Sequence, residues 1–88
     1  MKNSGRKKVI YGIFDSSGKL GYVGQTSDFD RRKRRHLNPQ FREPRRIDKW
    51  LDSIDKKAEF KIIEECEWYS SGERERYWKS KLKPIIMD

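Results

Sequence analysis

The chain has 88 residues, of which 33% are hydrophobic, 12% aromatic and 41% charged, the scale of one small domain with a thin apolar core inside a heavily solvated surface. With 22 Lys and Arg against 14 Asp and Glu, the formal net charge is +8 and the pI about 9.8, a balance that points to a polyanionic partner, nucleic acid ahead of a membrane surface. No apolar run approaches the roughly 18 residues of a spanning helix and no signal-peptide core follows the basic start, while a lone Cys and a lone His exclude an internal disulfide and a structural zinc site; a soluble, cytoplasmic protein is expected.

In chain order, residues 1–7 read as a basic N-terminal arm and residues 8–88 as a single domain. Residues 8–15, rich in β-branched and aromatic side chains, predict a strand, residues 16–19 a turn, and residues 20–25 the returning strand of a hairpin. If the loop holds an even number of residues, Tyr11 and Tyr22 project from the same face, and one extra bulge residue separates them. Ser27, with Asp30 three positions later, resembles a capping box and opens a helix to Leu37, ended by Asn38 and Pro39. On its wheel Phe29 and Leu37 lie about 80° apart and mark the buried stripe, and Arg32 and His36 fall about 60° and 20° to one side of Phe29, flanking the core. Arg31, Arg34 and Arg35 point elsewhere, an outward comb suited to phosphates. Lys33 and, where a loop at 39–45 ends, Arg45 and the following Arg46 extend this expected DNA-binding surface.

Ile47, Trp50, Leu51 and Ile54 recur at helical spacing. Residues 59–66 alternate partly and predict a third strand, in which Cys66 is a small apolar residue. Residues 70–82 predict a third helix stopped by Pro84. The fold class is therefore α/β (α+β), a small three-stranded sheet flanked by helices in the order β-β-α-α-β-α. Ser70 as N-cap places Glu73 at the capping-box position. Glu75 has no such role, because it shares a face with the core candidates Trp78 and Leu82. A carboxylate there is costly unless a cation offsets it: a metal ion or an arginine, or in the plainer reading an ion pair with Arg74, Arg76 or Lys79. Trp50, Trp68 and Trp78 read as core or rim aromatics.

At this point the residues match a family. VIYGIFDSSGKLGYVGQTSDFDRRKRRH resembles the opening of the GIY-YIG nuclease domain, with Val9-Ile10-Tyr11 where the family has Gly-Ile-Tyr and Tyr22-Val23-Gly24 where it has Tyr-Ile-Gly. Arg32 resembles the family's arginine on the first helix, His36 the histidine one turn later in its homing-endonuclease and some restriction-enzyme members, and Glu75, within ERERYWK, its metal-binding glutamate. The likeness runs from Lys8 to the C-terminus. It departs from the family's pattern at Val9, in place of Gly, and where Ile86, Met87 and Asp88 stand in the region of an asparagine common in the family.

The resemblance implies a metal-dependent DNA endonuclease that hydrolyses a phosphodiester with water as nucleophile and one divalent ion, Mg²⁺ or Mn²⁺, held by Glu75. Catalytic residues would be Tyr11, Tyr22, Arg32, His36 and Glu75: Arg32 meeting charge on the phosphate, Tyr11 as general base or water-orienting group, Tyr22 orienting water or substrate, and His36 sharing the proton path or binding phosphate. A phenol with its ordinary pKa near 10 is a poor base at neutral pH, so Arg32 and the metal are expected to lower it. The implied partner is DNA, double-stranded or branched, with a homodimer or a partner protein supplying specificity. Two alternatives stand beside this: a catalytically weak or inactive DNA-binding module of the same fold, and a basic protein–protein module.

Overall fold

The computed structural model describes residues 7–38, 46–54 and 57–86. Among them the elements follow the expected order: β1 (Lys7–Phe14), β2 (Leu20–Thr26), α1 (Phe29–Leu37), α2 (Arg46–Ser53), β3 (Glu59–Glu67) and α3 (Ser71–Leu82), the last entered through a 3-10 turn at Trp68–Ser70. The strands form one antiparallel sheet in the order β2-β1-β3. β1 takes the centre because its run of Val9, Ile10, Tyr11 and Ile13 suits burial on both faces. It starts at Lys7, one residue earlier than expected; the arm before it and the expected loop at 39–45 lie outside the described residues. No helix among the described residues is long and apolar enough to cross a membrane.

The two faces of the sheet carry separate clusters. On one, Tyr11, Ile13 and Phe60 pack with Ile47 and Leu51 of α2 and with Ile86, joined by Tyr22, Phe29, Leu37 and Trp50. On the other, Ile10, Val23 and Cys66 pack with Leu20, Ile63 and Trp78 of α3. β3 serves both clusters although Phe60 and Cys66 are both even-numbered. The register shift opposite Ile10/Tyr11 reverses its alternation, so Phe60 pairs with Ile13 and Cys66 with Lys8 on opposite sides. That reversal is why the period-two pattern of this strand is only partial.

A second bulge governs the hairpin. Asp15 organises the connection, its Oδ1 accepting from the Ser17 amide (2.9 Å), the Ser17 hydroxyl (2.6 Å) and the Lys19 amide (2.9 Å), while Gly18 supplies the left-handed φ of 89°. The loop spans 15–19, an odd number of residues, which by itself would turn the two tyrosines to opposite faces. Ile13 pairs with Tyr22 but Phe14 with Leu20, leaving Gly21 as the extra residue. The bulge restores the register, and Tyr11 and Tyr22 share a face. The anticipated danger of a bulge is thus inverted: here it brings the pair together.

Gly21 is a glycine for a packing reason, since a Cβ there would collide with the Trp50 indole. Its carbonyl also accepts from the Ile86 amide at 2.8 Å, and that of Leu20 from Ile85 at 3.2 Å, which draws the tail after α3 along the edge of β2. α1 starts on a different cap from the one expected, and α3, with Ser70 at its N-cap position as expected, lacks the expected side-chain cap bond. β2 continues through Thr26, so α1 is capped by Asp28, whose carboxylate accepts from the Arg31 amide at 3.1 Å, and Ser27 does not cap. Ser70 ends the 3-10 turn and its hydroxyl donates to the Glu67 carbonyl at 3.2 Å, so no capping box with Glu73 forms. Glu73 is left as an exposed acid in the first turn, favourable to the helix dipole. α3 ends at Leu82, followed by left-handed Lys83 and then Pro84.

Overpacking of a close approach costs about 1–3 kcal/mol. Gly21→Ala should therefore lower the unfolding free energy by a comparable amount, seen as a lower urea midpoint with the unfolding slope unchanged, and an unaltered midpoint would contradict the packing described.

Candidate active site

Tyr11 is the deepest polar side chain among the described residues, with none of its surface exposed. Gly24 lies directly across from it on β2. A Cβ at Gly24 would stand 2.8 Å from both the Tyr11 oxygen and Cε2 of Tyr22, so the glycine of Tyr22-Val23-Gly24 is the gap that admits both phenols. His36, in the last turn of α1 and 3% exposed, places Nε2 3.0 Å from the Tyr11 oxygen, the imidazole tautomer deciding which group donates. The rings of Tyr11, Tyr22 and His36 form a triangle with centroids 6.0–6.1 Å apart. Phe29 meets Tyr11 edge-on at 6.0 Å and Phe60 lies 5.9 Å from His36, which closes the group with apolar walls.

Burial pushes the Tyr11 phenol well above its ordinary pKa, and the neighbouring Tyr22 and Glu75 push the same way. The Arg32 guanidinium opposes them through its charge and a hydrogen bond, as expected, but burial wins. Arg32 thus acts in the expected direction without offsetting burial, and Tyr11 is protonated at neutral pH.

α1 divides its arginines as its wheel implies, but His36, expected to flank the core, is the buried residue of the helix, while Phe29 and Leu37, expected as the buried stripe, are partly buried. Arg32 is half-buried and reaches Tyr11, whereas Arg31, Lys33, Arg34 and Arg35 are exposed. An open cavity of about 240 Å³ is lined by Arg31, Arg32 and Arg35 with Thr26, Ser27 and Asp28. Three guanidiniums against one carboxylate give it an anion-attracting character. Lys33 instead lies 5.8 Å over the Phe60 ring. Arg45 lies outside the described residues, and Arg46 opens α2.

Glu75 arrives from the other side of the sheet. Its Oε1 accepts from Nε2 of Gln25 at 2.8 Å, and its Oε2 pairs with the Lys79 ammonium at 2.9 Å. Of the rival partners for Glu75, Lys79 is the one found. Arg74 is committed to Glu64, which it meets with Nε and Nη2 at 2.8–3.0 Å beside the Trp78 indole N–H at 2.7 Å. The structure thus brings Tyr11, Tyr22 and His36 into contact and sets Arg32 against them, while Glu75 acts on Tyr11 through its charge and not by contact. Gln25 went unrecognised in the sequence, although strand alternation gave a signal: it follows Gly24 and so faces α3. Among the described residues no group of three or more His, Cys, Asp or Glu side chains converges as a metal cage.

A family model described as GIY-YIG catalytic domain matches residues 7–87. No curated protein and no solved structure matches the chain.

The raised Tyr11 pKa carries a stability signature. Its neutral form is favoured by folding, so the contribution is fully present below the unfolded value of 10.0 and is lost as pH rises from there through the folded value. Urea unfolding between about pH 9 and 11.5 should show stability falling more steeply in the native chain than in Tyr11→Phe; parallel curves would contradict the burial described.

Proposed function

Since the chain belongs to the GIY-YIG family of nuclease domains, we propose that it is a DNA endonuclease that hydrolyses phosphodiester bonds with water as nucleophile and one divalent ion, Mg²⁺ or Mn²⁺. The observation that carries this reading is the buried Tyr11–His36 pair standing behind Arg32, at the margin of a cavity lined by three arginines. A phosphate entering that cavity meets the planar donor fork of Arg32, which stabilises the charge that develops on the non-bridging oxygens during attack.

Tyr11 need not exist as a free tyrosinate. As water attacks phosphorus and the bond from phosphorus to the leaving strand's oxygen breaks with its electron pair going to that oxygen, the water proton passes to the Tyr11 oxygen while the Tyr11 proton moves to Nε2 of His36, leaving imidazolium, a neutral phenol and the departing alkoxide. The net proton acceptor in this relay is His36, and Tyr11 begins and ends the step as a neutral phenol. Tyr22, half-buried against both rings, orients the water. Phe29 and Phe60 keep bulk water from the pair.

The donor set fits a hard ion. Glu75 offers one partly buried carboxylate, and magnesium is commonly bound by a single carboxylate with water and substrate phosphate oxygens completing its shell. When bound, such an ion would supply charge neutralisation at the leaving oxygen. The exposed Arg31, Arg34 and Arg35 hold flanking phosphates, and DNA, double-stranded or branched, is the substrate class. A homodimer or a partner protein supplies sequence choice.

One observation favours a second reading, a DNA-binding module without turnover: both oxygens of Glu75 are already engaged, by Gln25 and Lys79. Supercoiled plasmid incubated with the chain and Mg²⁺ or Mn²⁺ separates the two. The nuclease reading expects metal-dependent nicking that falls about a hundredfold or more in Arg32→Ala and in Glu75→Ala; no cleavage by the native chain, with DNA still bound, selects the module instead. Neutralising Arg34 and Arg35 together should weaken binding to all DNA sequences alike and flatten the salt dependence by about 0.9 in log–log slope for each phosphate that is no longer neutralised. An effect restricted to one sequence would contradict backbone binding.

A further inference from the structure

We propose that Lys79 is the resident counter-cation of Glu75, positioning its carboxylate and competing with the divalent ion for it, so that Lys79 sets the metal affinity of the site. The proposal rests on the reading of Glu75 as the metal ligand, and it names a residue that reading does not use.

The pair is built rather than incidental. Only 15% of the Lys79 side chain and 18% of the Glu75 side chain are exposed, and the ammonium lies 2.9 Å from Oε2. The order, Glu before Lys by four positions on one helix, is the favourable one. The opposite oxygen is fixed by the Gln25 amide at 2.8 Å, and the Gln25 carbonyl in turn accepts from the Lys8 ammonium at 3.4 Å. A polar chain therefore runs from β1 through β2 to α3, and it holds the carboxylate in one place with one oxygen facing a cation.

Nearby α3 cations do not substitute for Lys79. Arg74 is spent on Glu64 and stacks over Tyr77 at 4.4 Å, and Lys81 lies 5.9 Å from the centre of that same ring. Lys79 is the α3 cation seated on Glu75.

A carboxylate pinned in this way is preorganised for a hard ion, yet the ion must take the position that Lys79 holds. An ammonium and a dication cannot both sit within about 3 Å of one partly buried oxygen, because their mutual repulsion is weakly screened there. Metal entry therefore separates the Glu75–Lys79 pair, and the work of separation is subtracted from the affinity of the ion. Substrate phosphate shifts the balance the other way by adding anionic oxygens for the ion and a new anion for the displaced ammonium. The site loads metal together with DNA more readily than alone.

Mn²⁺ binding to the chain without DNA, followed by titration calorimetry and by the paramagnetic resonance of free Mn²⁺, tests this directly. Lys79→Met keeps the apolar stem and removes the charge, and should bind Mn²⁺ about fivefold or more tightly than the native chain. Lys79→Arg, which retains the cation, should bind no more tightly than the native chain. Glu75→Gln should abolish binding in the native background and in Lys79→Met alike. Equal Mn²⁺ affinity in the native chain and Lys79→Met, with binding lost in Glu75→Gln, overturns the role of Lys79 and leaves Glu75 as ligand. Binding that persists in Glu75→Gln, or that is absent from every one of these proteins at millimolar Mn²⁺, overturns the ligand reading and the proposal with it. A purely structural role for Lys79 would alter thermal stability without moving the Mn²⁺ affinity.

Discussion

Tyr11 and Tyr22 face the same side of the sheet only because two departures from an ideal hairpin cancel. The odd loop at 15–19 reverses the alternation and the extra residue Gly21 reverses it again. Everything at the site depends on that parity, since Tyr11 must lie across from Gly24 to have room for its ring, and Tyr22 must lie beside it to meet His36. The bulge is secured from outside the hairpin. Trp50 of α2 fills the space that a side chain at Gly21 would need, and the tail after α3 bonds to the carbonyls of Leu20 and Gly21. Helix packing, strand register and site geometry are thus one constraint seen at three levels.

The site is also part of the core. Tyr11 belongs to the same cluster as Ile13, Leu51 and Phe60, and His36 is nearly as buried. A polar pair at that depth is tolerated because each satisfies the other with a hydrogen bond. The arrangement confers rigidity, since neither ring can turn without disturbing packed neighbours, and it sets the electrostatics, since burial and not the nearest cation decides the charge state of Tyr11. Polarity then increases outward: a protonated phenol beside the buried His36 ring inside, Arg32 at the margin, and the exposed arginines of α1 beyond.

Much of this was legible from residue order. β-branched and aromatic density marked the strands, the spacing of Ile47, Trp50, Leu51 and Ile54 marked α2, and the helical period separated Arg32 and His36 from Arg31, Arg34 and Arg35. Other features depend on tertiary partners and left no local trace. The hairpin bulge is decided by Trp50 and Ile86, and the β3 bulge accompanies a strand that serves clusters on both faces. The cap of α1 moves to Asp28 because Thr26 is still paired with Val9. The choice of Lys79 over Arg74 as partner of Glu75 follows from Glu64, a residue of β3 that claims the arginine. The direction of the Tyr11 shift depends on depth, which spacing along a chain does not encode.

In the proposed function the tyrosine pair, His36, Arg32 and Glu75 serve one phosphate. Diffraction from the chain crystallised with a short DNA duplex and Mn²⁺, using the anomalous signal of the metal, tests it most directly. The account predicts a single manganese peak on the Glu75 carboxylate, with a backbone phosphate bridging it to the Arg32 guanidinium in front of Tyr11. Manganese away from Glu75, or DNA seated elsewhere, as on the exposed Trp68 and Tyr69 at the end of β3, would contradict it.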